Sequence, residues 1–271
     1  MYPFINILGW DIPTYSILLV VGVGVALVML KVLSTKMHEV EPHDVMYTFL
    51  IGICGGAVGA VSLRPIMRTV EVLLSWQDYR ELSIIELFQY VVGEIVFYGG
   101  FLGGLVAVIV FCRTYKINLT AIFDISAPAL ALAHAIGRMG CFFAGCCFGR
   151  AVPYNHRLAI VYPPASLAAP SGIPLIAVPL IEAGFLLILS AVLVVLFLVT
   201  GRRGICASVY LIVYPIGRFI LEFFRGDIMR GRYGLLTTSQ YISIGVFIFG
   251  VLFLIQRIRL HRAQRNTRPI S

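Results

Sequence analysis

Charged side chains are scarce in this sequence: Asp, Glu, Lys and Arg make up 13% of its 271 residues, against about 25% in soluble domains. Hydrophobic residues make up 59%, and the mean hydropathy is +0.94. The sequence also lacks a nucleotide-binding loop and any recognisable nucleic-acid module. These absences argue against a soluble protein and against a nucleic-acid partner, and they favour an integral membrane protein.

The apolar residues fall into runs of about 20, the length that a helix needs to cross roughly 30 Å of hydrocarbon. Seven such runs are predicted to span a membrane, near residues 14–34, 45–63, 94–112, 121–140, 178–200, 205–224 and 238–257. The run at 82–92 is too short to span alone, so we expect an interfacial or re-entrant helix there. The predicted fold is an all-α polytopic membrane protein with seven transmembrane helices, forming a single domain over residues 1–271.

The positive-inside rule orients these spans. No Lys or Arg precedes the first span, whereas Lys31 and Lys36 follow it, which predicts an amino terminus outside the cell. Seven crossings then place the carboxyl terminus in the cytoplasm. The basic tail 257–271, with five arginines, suits the anionic cytoplasmic face of a membrane.

The basic residues predicted to lie outside are all arginines, and every lysine is predicted to lie inside. The outer set is Arg64, Arg68, Arg80, Arg138, Arg150, Arg157, Arg218, Arg225, Arg230 and Arg232. Because the guanidinium fork binds phosphate through two points, this set predicts an outward-facing site for an anionic group, most simply a phospholipid head group. The alternative is that these side chains extend to the membrane interface without binding a ligand.

Two stretches combine charged side chains with a helical period. Arg218, Glu222 and Arg225 are spaced i, i+4, i+7, so a helix would place them on one face, where Glu222 could hold both arginines and leave one net positive charge. A structural ion-pair ladder is the alternative. The other stretch places His134 and Arg138 on a shared face with Cys141.

Three cysteines, Cys141, Cys146 and Cys147, follow Arg138 closely. With His134 they offer enough soft ligands for zinc, but the CxxxxCC spacing lacks the CxxC pairs of common structural zinc sites. A reactive thiol with a pKa lowered by nearby arginines is a second possibility. Small packing residues are the third, and we expect no metal.

The glycine-rich stretch 93–104 favours either close helix contact or a broken segment that lines a cavity. Tyr98 lies within this stretch, and Glu94 lies one turn earlier. Asp124 and Glu182 are further acids within predicted spans. A lone buried carboxyl of this kind is more often a satisfied structural group than a catalyst.

Taken together, these stretches resemble a known family. "GRMGCFFAGCCFG" at 137–149 resembles the signature of the phosphatidylglycerol:prolipoprotein diacylglyceryl transferases, which are bacterial enzymes of the inner membrane. "IPTYSILL", "VFYGGFLGG", "FDISAP", "GRFILEFFR" and "TTSQYIS" are similar to further motifs of this family and follow the same order along the chain.

The resemblance implies a reaction and a set of site residues. A diacylglyceryl group would move from phosphatidylglycerol to the lipobox cysteine thiol of a prolipoprotein, with release of glycerol phosphate and with no cofactor. The catalytic residues implied are Arg138, Arg218, Tyr98 and Glu222. The substrate-binding residues implied are Tyr15, Gly99, Gly100, Asp124, Gly137, Gly140, Cys141, Gly149, Arg225 and Gln240.

The sequence departs from the family's pattern at several polar positions. Tyr98 stands where the family has the histidine usually considered the base. Cys141 replaces an asparagine, and Cys146 replaces an acidic residue. Glu182 survives in "IAVPLIE", a segment that otherwise loses the family's polar residues. His134 is a candidate replacement base, although a buried, hydrogen-bonded histidine is the simpler expectation.

These losses fall on the acceptor half of the reaction, whereas the arginines of the lipid half remain. A divergent paralogue with another acceptor is therefore an alternative. Further alternatives are a non-catalytic phospholipid-binding protein and a thiol-redox or zinc protein built on the cysteines.

Overall fold

The computed structural model describes residues 3–7, 9–37, 39–80, 83, 86–87, 90, 97–200, 204–226 and 232–266. Most of the short helix predicted at 82–92 and the first residues of the span predicted at 94–112 lie outside these ranges. So does the end of the basic tail, although its first ten residues continue the last helix.

Helices dominate the described residues. They are α1 (Thr14–Ser34), α2 (Pro42–Leu74), the short α3 (Trp76–Tyr79), α4 (Phe97–Thr114), α5 (Leu119–Ala144), α6 (Val178–Thr200), α7 (Ile205–Glu222) and α8 (Thr238–Asn266). Three two-stranded antiparallel hairpins accompany them: β1 (Phe4–Ile7) with β2 (Trp10–Pro13), β3 (Ala159–Val161) with β4 (Pro174–Ile176), and β5 (Arg232–Tyr233) with β6 (Leu236–Thr237).

The helices confirm the predicted fold class. Within the described ranges, six helices are long and apolar enough to span a membrane, namely α1, α2, α5, α6, α7 and α8. Helix α4 carries a shorter apolar stretch at Gly99–Thr114 and corresponds to the third predicted span, near residues 94–112. The chain is an all-α polytopic membrane protein with only small sheets.

Helix α2 is longer than the sequence predicted. The predicted span ended at residue 63, just before Arg64 and Pro65, but the helix continues to Leu74. A proline removes only one backbone hydrogen bond, and a long apolar helix tolerates this loss. The extra turns carry Arg68, whose Nη1 lies 2.5 Å from Glu71 Oε2. Arg68 therefore has a structural partner beside it.

Residue contacts divide the chain into two compact units, residues 37–122 and residues 1–36 with 123–271. In the first unit, α2 and α4 meet through glycines. A Cβ atom on Gly99 would overlap the backbone of Gly59 and would lie 2.7 Å from Leu63 Cβ, and one on Gly103 would lie 2.8 Å from Gly59 Cα. Of the two roles predicted for the stretch 93–104, the described part shows close helix contact.

The second unit is built around α5. Ala127, Ala131 and Ala135 on α5 are buried in a cluster with leucines of α6 and with Cys206 of α7. Such small side chains let neighbouring helices approach closely. Helix α1 also contacts α5, because a Cβ atom on Gly22 would lie 3.2 Å from the carbonyl oxygen of Ala133. This packing brings polar residues of α5, α6 and α7 together.

Candidate active site

Two arginines and two glutamates from three helices form a buried ionic network. Arg138 Nη2 of α5 lies 3.1 Å from Glu182 Oε1 of α6. The other oxygen of Glu182 lies 3.6 Å from Arg218 Nη1 of α7, and Arg218 Nη2 lies 2.8 Å from Glu222 Oε2. Because Glu182 is fully buried, its charge must be balanced within the protein, and the two guanidinium groups do this.

His134 and Tyr214 lie next to Arg138 in this network. Arg138 Nε donates a hydrogen bond to His134 Nε2 at 3.2 Å, so that nitrogen carries no proton. The ring of His134 lies edge-on to the ring of Tyr214, with 5.0 Å between centroids. The Tyr214 hydroxyl donates to Glu182 Oε1 at 3.4 Å. His134 is the buried, hydrogen-bonded histidine that the sequence favoured, and its acceptor nitrogen already has a donor.

The network contains polar atoms without a hydrogen bond. Among the described residues, Arg218 Nη1 and Glu182 Oε2 are both buried and lack a hydrogen-bond partner. They attract each other across 3.6 Å, which is too long for a hydrogen bond. Unsatisfied buried donors are rare in folded proteins. An oxygen of a bound anion would supply the acceptor that Arg218 Nη1 lacks.

Arg225 lies beyond the helical face on which the sequence had placed it. Helix α7 ends at Glu222, so Arg225 no longer follows the helical period of Arg218 and Glu222. The segment after α7 instead pairs with the loop after α5, because the N–H of Arg150 donates to the carbonyl of Phe224 at 2.9 Å. This pairing is the physical reason for the difference.

Gly149 lies where that loop passes between two other backbones. Its N–H donates to the carbonyl of Ile176 at 2.8 Å. A Cβ atom here would lie 2.7 Å from Ile176 O and 2.8 Å from Phe224 O, so a larger residue would force the segments apart. Gly149, which the resemblance placed in substrate binding, therefore fixes the loop that carries Cys146 and Cys147.

The loop brings three thiols together. The Sγ atoms of Cys141, Cys146 and Cys147 all lie within 4.8 Å of one another, and none of the three forms a disulfide within the described residues. Arg225 hydrogen-bonds to the Cys147 sulfur. The buried hydroxyl of Tyr162 interacts electrostatically with all three thiols.

Tyr162 belongs to the segment between β3 and β4. It is 1% exposed, and its hydroxyl has no hydrogen-bond partner among the described residues. Burial raises the pKa of this hydroxyl to about 12, so it is a protonated donor at neutral pH.

Tyr15 and two glycines of the signature lie near the same end of α5. A Cβ atom on Gly140 would lie 3.1 Å from Tyr15 Cδ2, so Gly140 lets α1 approach α5. Gly137 has open space where a side chain would point, since a Cβ atom there would meet nothing within 4 Å. Tyr15 interacts electrostatically with Arg138 and Cys141. The structure thus brings Tyr15 to the arginine site.

Asp124 lies far from these residues. It precedes Arg138 by fourteen positions in α5, which corresponds to about 21 Å along the helix. Its carboxylate accepts the backbone N–H of Gly204 and that of Ala207, the latter at 2.9 Å. Asp124 therefore caps the first turn of α7, where a negative charge is favourable.

Gln240 also caps a helix. Its Oε1 accepts the N–H of Thr237 at 3.0 Å, and its own N–H donates to Thr237 Oγ1 at 3.3 Å. This reciprocal pair is a capping box at the start of α8.

The remaining predicted site residues lie in α4, within the other compact unit. Gly99 and Gly100 face α2, where a Cβ atom on Gly100 would lie 3.3 Å from Ala60 Cβ. The side chain of Tyr98 lies outside the described residues, and its role stays a prediction.

Comparison with known proteins agrees with the resemblance noted from the motifs. The family described as prolipoprotein diacylglyceryl transferase matches residues 3–256. The chain belongs to this family. A phosphatidylglycerol--prolipoprotein diacylglyceryl transferase of Clostridium tetani is 30% identical over 255 residues, which cover 94% of this chain and 97% of the relative. A second enzyme of that name, numbered 2, from Clostridium perfringens is 31% identical over 252 residues, covering 91% of each chain.

The sequence alone indicated no role for Glu182 in the site of this diacylglyceryl transferase family member. It showed only a lone acid in an apolar span, and such an acid is most often structural. The feature that could have indicated a role is that Glu182 is retained in "IAVPLIE", where the family's other polar residues are lost. The structure explains that survival, because Glu182 is the only residue in the described part of the chain that forms ion pairs with both Arg138 and Arg218.

Proposed function

We propose that this chain transfers the diacylglyceryl group of phosphatidylglycerol to a prolipoprotein, with release of glycerol phosphate. The observation that carries the proposal is the buried Arg138–Glu182–Arg218 network, in which Arg218 Nη1 has no acceptor among the described residues. The family match and the names of the relatives from Clostridium support the same reaction. The finer proposal is that the acceptor is the cysteine thiol of the lipobox segment.

The two arginines act on the phosphate in this proposal. Arg138 and Arg218 bind the phosphodiester and stabilise the charge that builds on it as the bond between carbon and oxygen breaks. Glu182 and Glu222 hold the guanidinium groups in place before the substrate arrives, so little reorganisation is needed during the reaction. Removing one such donor from a dry site typically lowers the rate about 10²–10³-fold.

Residues near this network complete the lipid site in this proposal. Tyr15 and Gly140 form the contact between α1 and α5, and a Cβ atom on Gly137 would meet nothing within 4 Å. We assign this open space to the substrate. Tyr98, Gly99 and Gly100 of α4 are site residues that the family resemblance implies, and their role in the reaction is part of the proposal.

The membrane arrangement is also proposed at its finer level. The chain is a multi-pass protein of the bacterial inner membrane. We place the amino terminus outside and the tail 257–271 in the cytoplasm, because the charge distribution follows the positive-inside rule. The arginine site then faces outward, where secreted precursors reach the membrane. One integral membrane domain covers residues 1–271.

The test is mass spectrometry of a lipobox peptide incubated with the purified protein in phosphatidylglycerol nanodiscs. We expect the peptide to gain a diacylglyceryl mass and glycerol phosphate to appear. Arg138→Ala should lower this transfer about 10²–10³-fold. Arg113→Ala is the matched control, because Arg113 is an exposed arginine at the end of α4.

Two results would contradict the proposal. The first is transfer that survives Arg138→Ala unchanged. The second is a wild-type protein that retains phosphatidylglycerol, loses it on Arg138→Ala and never transfers it, which would indicate a binding-only member of the family.

A further inference from the structure

The three thiols form a potential metal site that the sequence spacing did not predict. Their Sγ atoms lie within 4.8 Å of one another. Zinc binds sulfur at about 2.3 Å in tetrahedral geometry, which sets neighbouring sulfurs about 3.8 Å apart. Small rotations of the side chains therefore suffice to bring all three sulfurs onto one ion. One contact that must yield is the hydrogen bond that Cys146 Sγ donates to the carbonyl of Cys141 at 3.5 Å.

The backbone at Cys147 is unusual in a way that favours this convergence. Cys147 has a φ of 59°, which is uncommon for a residue other than glycine. Successive side chains in an extended chain point to opposite sides. The left-handed turn breaks this alternation and lets the adjacent Cys146 and Cys147 reach the same centre. Such backbone outliers concentrate at functional sites.

Tyr162 supplies an independent observation. Its hydroxyl is fully buried, has no hydrogen-bond partner among the described residues and interacts with all three thiols. A buried donor of this kind needs an acceptor, because leaving it unsatisfied costs about 1–3 kcal/mol. The sulfur of a metal-bound thiolate, or an atom of another ligand on the metal, would accept a hydrogen bond from the Tyr162 hydroxyl.

Charge favours a divalent ion over a monovalent one. Three thiolates and a divalent cation carry a net charge of −1, which the adjacent Arg225 offsets. A monovalent cation would leave one negative charge unbalanced before an acceptor thiolate binds and two afterwards, whereas a divalent cation leaves at most one. Arg225 is the arginine that we assign to the metal centre, and Arg138 also interacts with Cys141 and Cys147. Arg138 and Arg218 remain the arginines proposed to bind the phosphate.

We propose that Cys141, Cys146 and Cys147 bind a divalent thiophilic cation, with zinc as the first choice, and that its fourth coordination position takes the acceptor thiol. This inference rests on the proposed function for its second half. A zinc site with three protein ligands keeps one position for substrate, as catalytic zinc sites do. The site lies next to the arginine network, since Cys141 is three residues from Arg138 on α5 and interacts with it.

The metal would solve a problem that the described residues leave open. A free thiol has a pKa near 8.5 and is only about 3% thiolate at pH 7. The base suggested by the sequence, His134, already accepts a hydrogen bond from the positively charged Arg138. Metal coordination makes a thiolate without a base, because a coordinating thiol is deprotonated outright.

The step balances without any redox change. The acceptor thiol loses its proton on binding the metal, and the resulting thiolate attacks the diacylglyceryl carbon. A sulfur–carbon bond forms while the carbon–oxygen bond to phosphate breaks. The proton passes through water to the released glycerol phosphate, and the metal keeps its charge throughout. The product thioether is a weaker ligand than a thiolate, so it leaves the metal.

The cysteines themselves are poor candidates for a covalent carrier. If Cys141 or Cys147 attacked the lipid, the product would be a thioether on the enzyme. Its carbon–sulfur bond does not release the diacylglyceryl group to a second thiol under mild conditions, so the enzyme would stop after one turnover. A role as metal ligands avoids this dead end.

The test uses the full-length protein in phosphatidylglycerol nanodiscs, purified under reducing conditions without chelator. Elemental analysis should find about one zinc per chain. Replacing Cys141, Cys146 and Cys147 together with serine should remove it, and Cys147→Ser alone should weaken its binding. Cys54→Ser is the matched control, because Cys54 is an exposed thiol outside the cluster.

Cobalt reports on the fourth position. After zinc is exchanged for cobalt, the intensity of the sulfur-to-cobalt charge-transfer band should increase by about one third when a lipobox peptide is added, as the sulfur ligands rise from three to four. A peptide with serine in place of the acceptor cysteine should leave the band unchanged. The triple serine variant should also transfer diacylglyceryl up to about 30-fold more slowly at pH 7, in proportion to the thiolate fraction of a free thiol.

Several results would overturn the inference: no bound zinc in the reduced wild type, equal zinc in the triple variant, a disulfide within the cluster, or a cobalt band unaffected by the cysteine peptide. Equal transfer by the triple variant and the wild type would also refute it, while leaving the proposed function intact. Conversely, zinc and peptide binding without any transfer from phosphatidylglycerol would refute the proposed function and leave the metal site standing.

Discussion

Replacing Glu182 with glutamine should destabilise the protein far more than a typical buried polar substitution. Glu182 lies 3.1 Å from Arg138 and 3.6 Å from Arg218, and it accepts a hydrogen bond from Tyr214. Glutamine keeps the shape but removes the charge and turns an amide donor towards a guanidinium. Breaking a buried ion pair by removing one partner costs about 3–5 kcal/mol. Because two arginines lose their shared partner, we expect a loss in the upper half of that range.

The assay is thermal unfolding of the purified protein in detergent, followed by tryptophan fluorescence. Ser190→Ala is the matched control on the same helix, because Ser190 Oγ donates one neutral hydrogen bond to the carbonyl of Pro128 at 2.9 Å. That loss should cost about 1 kcal/mol. Glu182→Gln should therefore lower the unfolding temperature several times as far as Ser190→Ala does.

A double variant separates charge balance from shape. Glu182→Gln combined with Arg138→Gln removes one charge of each sign, so it should be less destabilised than the sum of the single variants by about 1–3 kcal/mol. Additive effects within about 0.5 kcal/mol, or a Glu182→Gln variant as stable as Ser190→Ala, would refute the view that Glu182 is the charge that holds the arginines.

Two further predictions concern the helix cap formed by Asp124 and the glycine contact between α2 and α4. Asp124→Ala should lower the free energy of unfolding by about 1–2 kcal/mol, because a helix cap is lost. The rate of transfer by the folded protein should stay near that of the wild type. A variant of unchanged stability whose transfer falls as far as that of Arg138→Ala would contradict the capping role. Gly59→Leu should separate α2 from α4 and lower the unfolding temperature, because a Cβ atom there would meet the backbone of Gly99. Gly24→Leu is the control, because it adds a side chain in open space. Equal unfolding temperatures for the two variants would contradict the glycine contact.

The spans were predictable because membrane insertion leaves a strong pattern in the sequence. A helix needs about 20 apolar residues to cross hydrocarbon, and the predicted starts at 14, 178, 205 and 238 agree with the helices observed. Helix α2 contains its predicted span but extends further, because the helix continues through Arg64 and Pro65 to Leu74. Charge and proline limit a span within the membrane, but they do not end the hydrogen bonding of a helix that continues beyond it.

The arginine site was only half predictable. Arg218 and Glu222 pair because they are one turn apart in one helix, which the sequence shows directly. Glu182 joins them from another helix, and its contact with Arg138 spans forty-four residues of sequence. No local pattern encodes such a contact. Likewise, Asp124 gave no sign of its capping role, because its partners Gly204 and Ala207 lie eighty or more residues away.

The cysteine cluster shows why local spacing was a poor guide. Metal motifs such as CxxC work because a tight turn alone brings the sulfurs together. Here the loop after α5 is shaped by distant backbone, through the hydrogen bonds of Gly149 to Ile176 and of Arg150 to Phe224. The CxxxxCC spacing could not reveal a convergence that depends on these contacts.

The same contacts change how the departures from the family signature are understood. At the level of sequence, Cys141 and Cys146 replace an asparagine and an acidic residue, which looked like two separate losses. The structure places both sulfurs in one group with Cys147, so the two replacements are coupled in space. Independent loss of function would not be expected to put the same soft ligand at both positions. A coupled exchange of polar groups for thiols at the two positions would account for both changes. In the proposed function the arginines serve the lipid half of the reaction, so this exchange does not affect them.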